Sequence, residues 1–238
     1  MRRRWGPDLQ RTAAVDIWSA DLADAPDALT LAELLDDSDR VALQRCRPAT
    51  FARRAGARAA ARAVLARYSG SPPGSLRFAT DVLGRHRLRD NHSDARLHFS
   101  VSRSGQQCVV AVTRAGAIGI DVEARGAALG DTNALIRRLA PEETAELLAI
   151  DECDRADAFL RCWTRKEAYL KATGTGLALG LDQCAVSTGR DARVVRGVEL
   201  DVNRWAVQDL DLDCAHVGAL AVQSEARLLE IREQVLEW

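Results

Sequence analysis

The sequence lacks a long hydrophobic run. No stretch is long and apolar enough for a membrane-spanning helix. The basic start, residues 1–4, is followed by no apolar segment of the length that a secretory signal requires. With 47% apolar side chains among 238 residues, the chain can still bury a substantial core, as one domain or as two packed halves. We therefore expect a folded cytoplasmic protein with no membrane partner.

The sequence also lacks paired metal-ligating cysteines and glycine-rich nucleotide-binding loops. None of its six cysteines forms a C-x-x-C pair or has a histidine at ligand spacing, so neither a zinc site nor a disulfide framework is indicated. We expect reduced thiols that lie mostly in the core. There is no G-x-x-x-x-G-K-[ST] loop and no G-x-G-x-x-G after a strand, so the signatures of the common nucleotide-binding enzymes are missing.

Net charge is nearly absent. The 33 lysines and arginines balance 34 aspartates and glutamates, which gives a formal charge of -1. The placement of these many charges therefore matters more than their sum, and we expect no nucleic-acid partner.

In the first half, residues 49–69 predict a long helix. They are rich in alanine and arginine, contain no proline, and end at Gly70 before the Ser-Pro-Pro-Gly turn of 71–74. Alternation predicts a strand at 14–19, and spaced Leu and Val predict short helices within 29–46. Short apolar runs predict an antiparallel sheet with strands at 76–79, 96–102 and 107–113.

The second half predicts the same general order. A β-branched run at 117–123 predicts a strand that ends in acidic residues. The elements expected after it are helices at 131–139, 141–150 and 154–173, strands at 183–187, 192–197, 204–209 and 216–222, and an amphipathic tail helix at 225–237. Without a long linker, we expect two intimately packed subdomains.

Two acidic residues lie at alternate positions of the predicted strand 117–123. Because side chains alternate along a strand, Asp121 and Glu123 lie on the same face. A hard cation such as Mg2+ would relieve their mutual repulsion, and Mg2+ is usually bound by one or two protein carboxylates together with water and substrate phosphate oxygens. The alternative is an ordinary solvated strand end.

A second candidate group lies on the predicted helix 154–173. Trp163, Glu167 and Lys171 recur at i, i+4 and i+8, so an aromatic, an acid and a base share one stripe of the helix. The alternative is a surface salt bridge between Glu167 and Lys171, which would contribute little to stability.

Together, the two segments resemble the signature of the Sfp-type 4'-phosphopantetheinyl transferases, G-[IV]-D-[IV]-E followed by W-x-x-K-E-[AS]-x-x-K-x-x-G-x-G-[LF]. The first motif matches at residues 119–123. The second matches at Trp163, Lys166, Glu167, Ala168, Lys171, Gly174, Gly176 and Leu177. Either motif alone is weak, but both occur in this order in a chain of the family's usual size.

The resemblance extends to weaker features upstream. Residues 83–86 and 98–104 look like the family's G-K-P and F-N-x-S-H-S segments, which lie on the coenzyme A side. Two positions depart from that pattern: Arg85-His86 stands where the family usually has Lys-Pro, and Arg103 stands where it usually has a histidine. Arginine can still bind phosphate through its forked donors, but as a fixed cation it cannot serve in proton transfer as histidine does.

The resemblance implies an α+β fold. Two similar subdomains in a pseudo-twofold arrangement would each consist of a mainly antiparallel sheet packed with helices. Residues 1–113 would form the N-terminal subdomain on the coenzyme A side, and residues 114–238 the C-terminal subdomain with the metal and catalytic motifs. The coenzyme would lie in the cleft between them.

By the same resemblance, the protein transfers the 4'-phosphopantetheine arm of coenzyme A to a serine of an apo acyl- or peptidyl-carrier domain, releasing 3',5'-ADP. Asp121, Glu123 and Glu167 would hold Mg2+. Glu167 would also deprotonate the carrier serine, and Lys171 would stabilise the leaving group. The residues expected at coenzyme A are Arg53 or Arg54, Gly84, Arg85, His86, Ser102, Arg103 and Lys171, with the other arginines of the 51–68 helix on the surface.

The resemblance also bears on partners. Carrier domains of this family are acidic helical bundles, so we expect a basic or apolar docking patch, which the sequence does not locate. We expect a monomer that serves secondary metabolism; the sequence does not decide whether its carrier belongs to a polyketide synthase, a nonribosomal peptide synthetase or fatty acid synthesis. The alternative is a non-catalytic module of the same fold that captures coenzyme A or carrier proteins without transfer; the complete acid set and Lys171 argue against it.

Overall fold

The computed structural model describes residues 12–80, 86–89, 97–126, 131–176, 180–198, 201–226 and 228–238. Within these ranges, the first half forms a long strand, then helices, then further strands. Their bounds are β1 (Thr12–Asp21), α1 (Ala28–Leu34), α2 (Asp37–Gln44), α3 (Pro48–Ser69), β2 (Phe78–Thr80), β3 (His86–Leu88), β4 (His98–Ser104) and β5 (Gln107–Thr113).

The second half repeats this order and then adds a strand. The bounds are β6 (Ile118–Ala124), α4 (Thr132–Ile136), α5 (Pro141–Leu148), α6 (Glu152–Thr173), β7 (Ala185–Val186), β8 (Val194–Arg196), β9 (Trp205–Leu210), β10 (His216–Gln223) and β11 (Leu228–Val235). In each half the helices are followed by a short antiparallel pair, β2 with β3 or β7 with β8. The last long strand of the repeat then pairs antiparallel with the first, β5 with β1 and β10 with β6.

The long helices α3 and α6 have the same length and the same kind of ending. Each contains 22 residues, and each ends at a glycine in the left-handed region, Gly70 with φ 68° and Gly174 with φ 80°. Such a residue ends a helix by redirecting the chain, and glycine adopts this conformation without a Cβ penalty. The sequence predicts both helix ends correctly for this reason.

The long strands form two sheets. The first has the order β11-β1-β5-β4, in which β1 pairs parallel with β11 and the other pairs are antiparallel. The second has the order β6-β10-β9 and is antiparallel throughout. The mixed α+β architecture with mainly antiparallel sheets confirms the predicted fold class.

The sheets and long helices pack as four layers, α3, first sheet, second sheet and α6. Alternate residues of β1 and β5 point to opposite faces, so one face of the first sheet packs on α3 and the other on the second sheet. The cluster between the sheets includes Val15, Ile17, Val109, Ala111, Ile118, Ile120, Val122, Leu220 and Val222. The far face of the second sheet packs on α6 through Ala168, Leu170, Ala172, Ala219 and Ala221, among others.

The predicted amphipathic helix at 225–237 is wrong. Residues 228–235 form β11, which pairs parallel with β1. Side chains in β11 alternate in exposure: Leu229 and Ile231 are half-buried against the cluster between the sheets, whereas Glu230 and Arg232 are exposed. Pairing with β1 and this packing outweigh the helical propensities of leucine, glutamate and arginine, because tertiary contacts override so weak a preference.

The predicted surface position of the other arginines on α3 is wrong for Arg62, whose side chain is 1% exposed. Its guanidinium forms ion pairs with Asp36 and Asp39. It also donates to the carbonyl oxygens of Pro73 and Leu76, at 2.9 Å each. A buried cation needs such partners to offset the loss of hydration.

Other expectations hold in part. The strand β3 lies where the sequence predicts none, and α4 and β7 are shorter than predicted. The six cysteines are free thiols, but only Cys108, Cys162 and Cys184 are buried, whereas Cys46 is half-buried and Cys153 and Cys214 are exposed, so the expectation that most lie in the core holds for three of the six. In the described ranges, no helix is long and apolar enough to cross a membrane. The division of the chain into residues 1–113 and 114–238 stays a prediction.

Candidate active site

Helix α6 lies directly against strand β6, and Gly119 permits this approach. A Cβ atom at position 119 would lie 1.9 Å from the carbonyl oxygen of Ala168 and 2.6 Å from the amide nitrogen of Ala172. Both are backbone atoms, which cannot rotate aside as a side chain can. Because Asp121 and Glu123 lie on the same face of β6 as Gly119, they also face α6.

Serines at alternate positions of β4 connect the two sheets. Their hydroxyl oxygens lie on one face of the strand and accept hydrogen bonds from backbone amides of β6. The bonds are Ile120 N to Ser100 Oγ (3.1 Å), Val122 N to Ser102 Oγ (3.4 Å) and Ala124 N to Ser104 Oγ (2.9 Å). The constant offset of 20 residues means that β4 and β6 run parallel, connected through side chains.

Two of these hydroxyls also bind the acidic pair. Ser102 donates to Oδ1 of Asp121 at 2.8 Å, and Ser104 donates to Oε2 of Glu123 at 2.9 Å. The Ser102 hydroxyl also accepts from Lys171 at 3.0 Å, so its one donor and two acceptor positions are all engaged. The predicted contact of Ser102 with coenzyme A stays a prediction.

Lys171 reaches from α6 to the start of the acidic motif. Its Nζ lies 2.6 Å from Oδ1 of Asp121, 3.0 Å from Ser102 Oγ and 3.1 Å from the carbonyl oxygen of Ile120. The three protons of the ammonium group therefore all have acceptors. The pair brings a cation against Asp121, whose side chain is 5% exposed.

Glu167 lies one turn before Lys171 and lacks a comparable partner. Its Oε1 is buried without a hydrogen-bond partner, as is Oδ2 of Asp121. Burial, followed by the charges of Asp121 and Glu123, raises the pKa of Glu167 to about 7, against the opposing effect of Lys171. Burial also raises the pKa of Asp121 and of Glu123. Near neutral pH, a carboxyl group with the pKa of Glu167 can accept or release a proton.

Both alternative interpretations of the motifs fail. Asp121 is buried, so the acidic end of β6 is not an ordinary solvated strand end. Lys171 pairs with Asp121, and within the described part of the chain no ion pair joins it to Glu167. The two motifs instead meet around one cavity of about 410 Å³, lined by Val101, Ser102, Arg103, Asp121, Glu123, Trp163, Glu167 and Lys171.

The donor set of this cavity suits a hard cation. In the side-chain conformations of the described residues, no three His, Cys, Asp or Glu residues are close enough together to bind a metal ion. However, three carboxylates face one ammonium group, and two buried carboxylate oxygens, Asp121 Oδ2 and Glu167 Oε1, have no hydrogen-bond partner. Carboxylate oxygens are the protein ligands that Mg2+ prefers. The residues present therefore fit the predicted cation, and its binding stays a prediction.

The two residues before Glu167 hold α6 in place. Lys166 is fully buried, pairs with Glu143 at 2.8 Å and donates to the carbonyl oxygens of Leu181 and Cys184. Arg165, also fully buried, donates through Nε to Asp209 at 2.6 Å. Buried cations with a full set of partners prevent the helix from rotating about its axis. Lys166 therefore has a structural role within its motif.

A second cavity of about 440 Å³ lies on the α3 side of β4. It shares Val101, Ser102 and Arg103 with the acidic cavity. Its other lining residues are Asp39, Arg54, Ala57, Arg58, Ala61, Arg62, Phe78, His86 and Phe99. Arginine side chains, two of them paired with Asp39, thus line this second cavity, whose lining does not include Asp121, Glu123 or Glu167.

Most of the predicted site residues meet in these two cavities. Arg54, His86 and Arg103 line the arginine-rich cavity, and the four residues predicted for metal and catalysis line the acidic one. Arg53 is half-buried and is not among the lining residues of either. The predicted residues Gly84 and Arg85, together with Leu177 of the second motif, lie outside the described residues.

Sequence reasoning missed Ser104 and Asp39. Ser104 contacts Glu123, and Asp39 pairs with Arg58 and Arg62 at the second cavity. The alternation of serine on β4 has the same period as the alternation of acids on β6, and this match was an available signal. The contacts of Asp39 arise from tertiary packing of α2 on α3, for which the sequence carries no comparable pattern.

Comparison with known proteins gives a consistent result. Residues 117–221 match the family model described as the 4'-phosphopantetheinyl transferase superfamily. This range contains β6 with its acidic pair and the whole of α6.

Individual relatives match over similar or longer ranges. The 4'-phosphopantetheinyl transferase HetI of Nostoc sp. is 36% identical over 118 residues, 49% of each chain. The 4'-phosphopantetheinyl transferase Sfp of Bacillus subtilis is 32% identical over 133 residues, 56% of this chain and 57% of the relative. The L-aminoadipate-semialdehyde dehydrogenase-phosphopantetheinyl transferase of Eremothecium gossypii is 33% identical over 178 residues, 70% of this chain and 60% of the relative. The chain thus spans about half the length of the first two relatives.

Proposed function

We propose that the protein transfers the 4'-phosphopantetheine arm of coenzyme A to a serine of an apo carrier-protein domain, because residues 117–221 match the family model of the 4'-phosphopantetheinyl transferase superfamily. The serine oxygen forms a new bond to phosphorus while the pyrophosphate linkage of the coenzyme breaks. 3',5'-ADP leaves, and the serine proton passes to a base.

One observation carries this proposal. Carboxylates from β6 and α6 line a cavity that also contains Lys171, and this cavity shares Arg103 with a neighbouring cavity that is lined by further arginines. The first part suits a cation and a proton acceptor, and the second suits the phosphates of a nucleotide-like substrate. The cleft therefore offers both sets of groups that phosphoryl transfer from coenzyme A requires.

In this proposal Asp121, Glu123 and Glu167 hold Mg2+, in keeping with the partnerless oxygens of Asp121 and Glu167. When bound, the cation would neutralise charge on the pyrophosphate and on the transferring phosphoryl group. Glu167 accepts the serine proton, directly or through water, because a hydroxyl is a poor nucleophile without a base.

Lys171 and the arginines act on the coenzyme. The Lys171 ammonium, held between Asp121 and Ser102, stabilises the negative charge that develops on the departing 3',5'-ADP. Arg54, Arg103 and His86 bind phosphate groups of the coenzyme in the second cavity. A permanent cation at Arg103 restricts that residue to binding, so proton transfer falls to Glu167.

Several finer assignments belong to this proposal. We propose a carrier from polyketide or nonribosomal-peptide synthesis, a cytoplasmic location, for which the free cysteines argue, and a monomer. A carrier of fatty acid synthesis is a further candidate that an assay with several carriers would test.

The decisive experiment incubates the protein with coenzyme A, Mg2+ and a panel of purified apo-carrier domains. We expect the mass of at least one carrier to increase by one phosphopantetheine arm and 3',5'-ADP to accumulate in equal amount. Matched reactions with excess chelator should show no transfer. Binding of coenzyme A or carrier without any mass increase would favour the non-catalytic module instead.

A further inference from the structure

Strand β4 carries a hydroxyl group to which the proposed chemistry assigns no role. Ser104 is the last residue of β4, and the residue is 8% exposed. Its hydroxyl accepts from the backbone amide of Ala124 at 2.9 Å and donates to Oε2 of Glu123 at 2.9 Å. The group therefore bridges the backbone of β6 and one carboxylate oxygen on the same strand.

This bridge limits the positions that the Glu123 carboxylate can adopt. A glutamate side chain has several rotatable bonds, and Glu123 lies near the end of β6, where it is only half-buried. Within the described part of the chain, Ser104 is the one hydrogen-bond partner of this carboxylate. The bond fixes Oε2 toward β4 and leaves Oε1 as the oxygen available to the acidic cavity.

We propose that Ser104 is a positioning residue that orients Glu123 for cation binding. The inference rests on the proposed function, because it takes Glu123 as a ligand of the cation. Hydroxyl and amide groups that orient the ligands of a metal typically change its affinity by roughly 10- to 100-fold when removed. Ser104 acts through Glu123 and need not touch the substrate.

The strand itself provides a matched control. Ser100 accepts from the amide of Ile120 at 3.1 Å, in the same way that Ser104 accepts from Ala124. No hydrogen bond from Ser100 to a carboxylate is present within the described residues. Removal of either hydroxyl costs one connection between β4 and β6, but only removal of the Ser104 hydroxyl releases Glu123.

The test uses the 238-residue chain, free of coenzyme A, with Mn2+ as the probe. The variants Ser104→Thr and Ser104→Val have nearly the same shape and differ in the hydroxyl, and Ser100→Thr and Ser100→Val form the control pair. Mn2+ affinity is measured by calorimetry and by the paramagnetic resonance signal of the free ion, and melting temperature is measured beside it. Ser104→Ala provides a third variant should a branched side chain at position 104 impair folding.

We expect Ser104→Val to bind Mn2+ roughly 10- to 100-fold more weakly than Ser104→Thr, whereas the Ser100 pair should bind alike. The melting temperature should fall within both pairs on loss of the hydroxyl, and by more at position 104, where two hydrogen bonds are lost instead of one. Equal affinities at position 104 would overturn the positioning role, even if the wild-type protein binds Mn2+ and transfers the arm. If the wild-type protein transfers the arm in excess chelator and binds no Mn2+, the metal assignment and this inference both fall while the transfer activity stands.

Discussion

Neighbouring residues on α6 differ sharply in how their buried charges are partnered. Arg165 and Lys166 are fully buried and bind carboxylates together with backbone carbonyl groups. Glu167 follows them directly, and its buried Oε1 has no partner. A buried carboxylate without partners destabilises the folded state, and such groups concentrate at functional sites.

A substitution at Glu167 should therefore separate stability from activity. Because the folded-state pKa of Glu167 is raised from 4.5 to about 7, the folded protein favours the protonated form, and stability is lost as pH rises from 4.5 through 7. In the presence of chelator, Glu167→Gln should raise the melting temperature relative to wild type by an amount that grows between pH 4.5 and 7 and levels off above pH 7. The same change should reduce arm transfer by roughly 100- to 10,000-fold, as loss of a general base does.

The control is Glu152→Gln, which removes an exposed carboxyl from the first turn of the same helix. It should leave transfer intact and give no stabilisation that grows with pH. A melting temperature of Glu167→Gln below that of wild type at pH 8, with normal transfer, would contradict both the electrostatic and the catalytic assignment.

At this scale the sequence predicts the acids but not their partners. The two-residue spacing of Asp121 and Glu123 and the four-residue spacing of Glu167 and Lys171 are local patterns, and each correctly places its pair on one face. Ser104 comes from a different strand and Glu143 from a different helix. Contacts of that kind depend on tertiary packing, which no local spacing encodes.

At the scale of elements, the approach of α6 to β6 determines the site. The helix carries Glu167 and Lys171, the strand carries Asp121 and Glu123, and Gly119 allows their backbones to touch. A few tenths of an ångström of separation would already weaken the 2.6 Å contact between Lys171 and Asp121.

We therefore expect Gly119→Ala to damage the site more than its single methyl group suggests. The new Cβ would meet backbone atoms at 1.9 and 2.6 Å, so α6 must shift away from β6. Overpacking of this kind costs about 1–3 kcal/mol or more in stability, and transfer should fall further than the fraction of folded protein does. Denaturant unfolding and transfer rates, both below the melting transition, measure the two effects.

Gly189→Ala is the control for this prediction. A Cβ there would meet nothing within 4 Å, and Gly189 is not among the glycines with positive φ. Its stability and transfer should stay close to those of wild type. Wild-type transfer in a folded Gly119→Ala variant would mean that the separation of α6 and β6 does not control the site.

Helices and strands are predicted correctly where the local sequence signal is strong, and incorrectly where pairing with a distant strand determines the structure. The α3 and α6 ranges follow from composition and a terminal glycine, and both occur as predicted. The tail 228–235 has helical propensity, yet it completes the first sheet beside β1. Its partner strand lies at the opposite end of the sequence, so no local window contains the information that makes it a strand.

At the scale of the whole molecule, the two sheets share one apolar cluster. Val15 and Val109 from the first sheet pack with Ile120 and Leu220 from the second. The final strand β11 adds Leu229 and Ile231 to the edge of the same cluster, although it follows β10 of the second sheet along the chain. The halves of the repeat are therefore connected through the core as well as through the chain, and they should unfold together.

Ile231→Ala tests this coupling. The half-buried side chain of Ile231 contacts the shared cluster. Its truncation should lower the free energy of unfolding by about 1–2 kcal/mol, which is less than the 2–5 kcal/mol typical of fully buried sites. Because the slowest amides exchange through global unfolding, amides of Val110 in the first sheet and Leu220 in the second should exchange faster by the same factor, roughly tenfold. Glu233 lies on the same strand and is exposed, so Glu233→Ala should change neither the free energy of unfolding nor these exchange rates. Faster exchange confined to the first sheet would instead mean that the halves unfold independently, since only a shared core transmits the loss at Ile231 to Leu220.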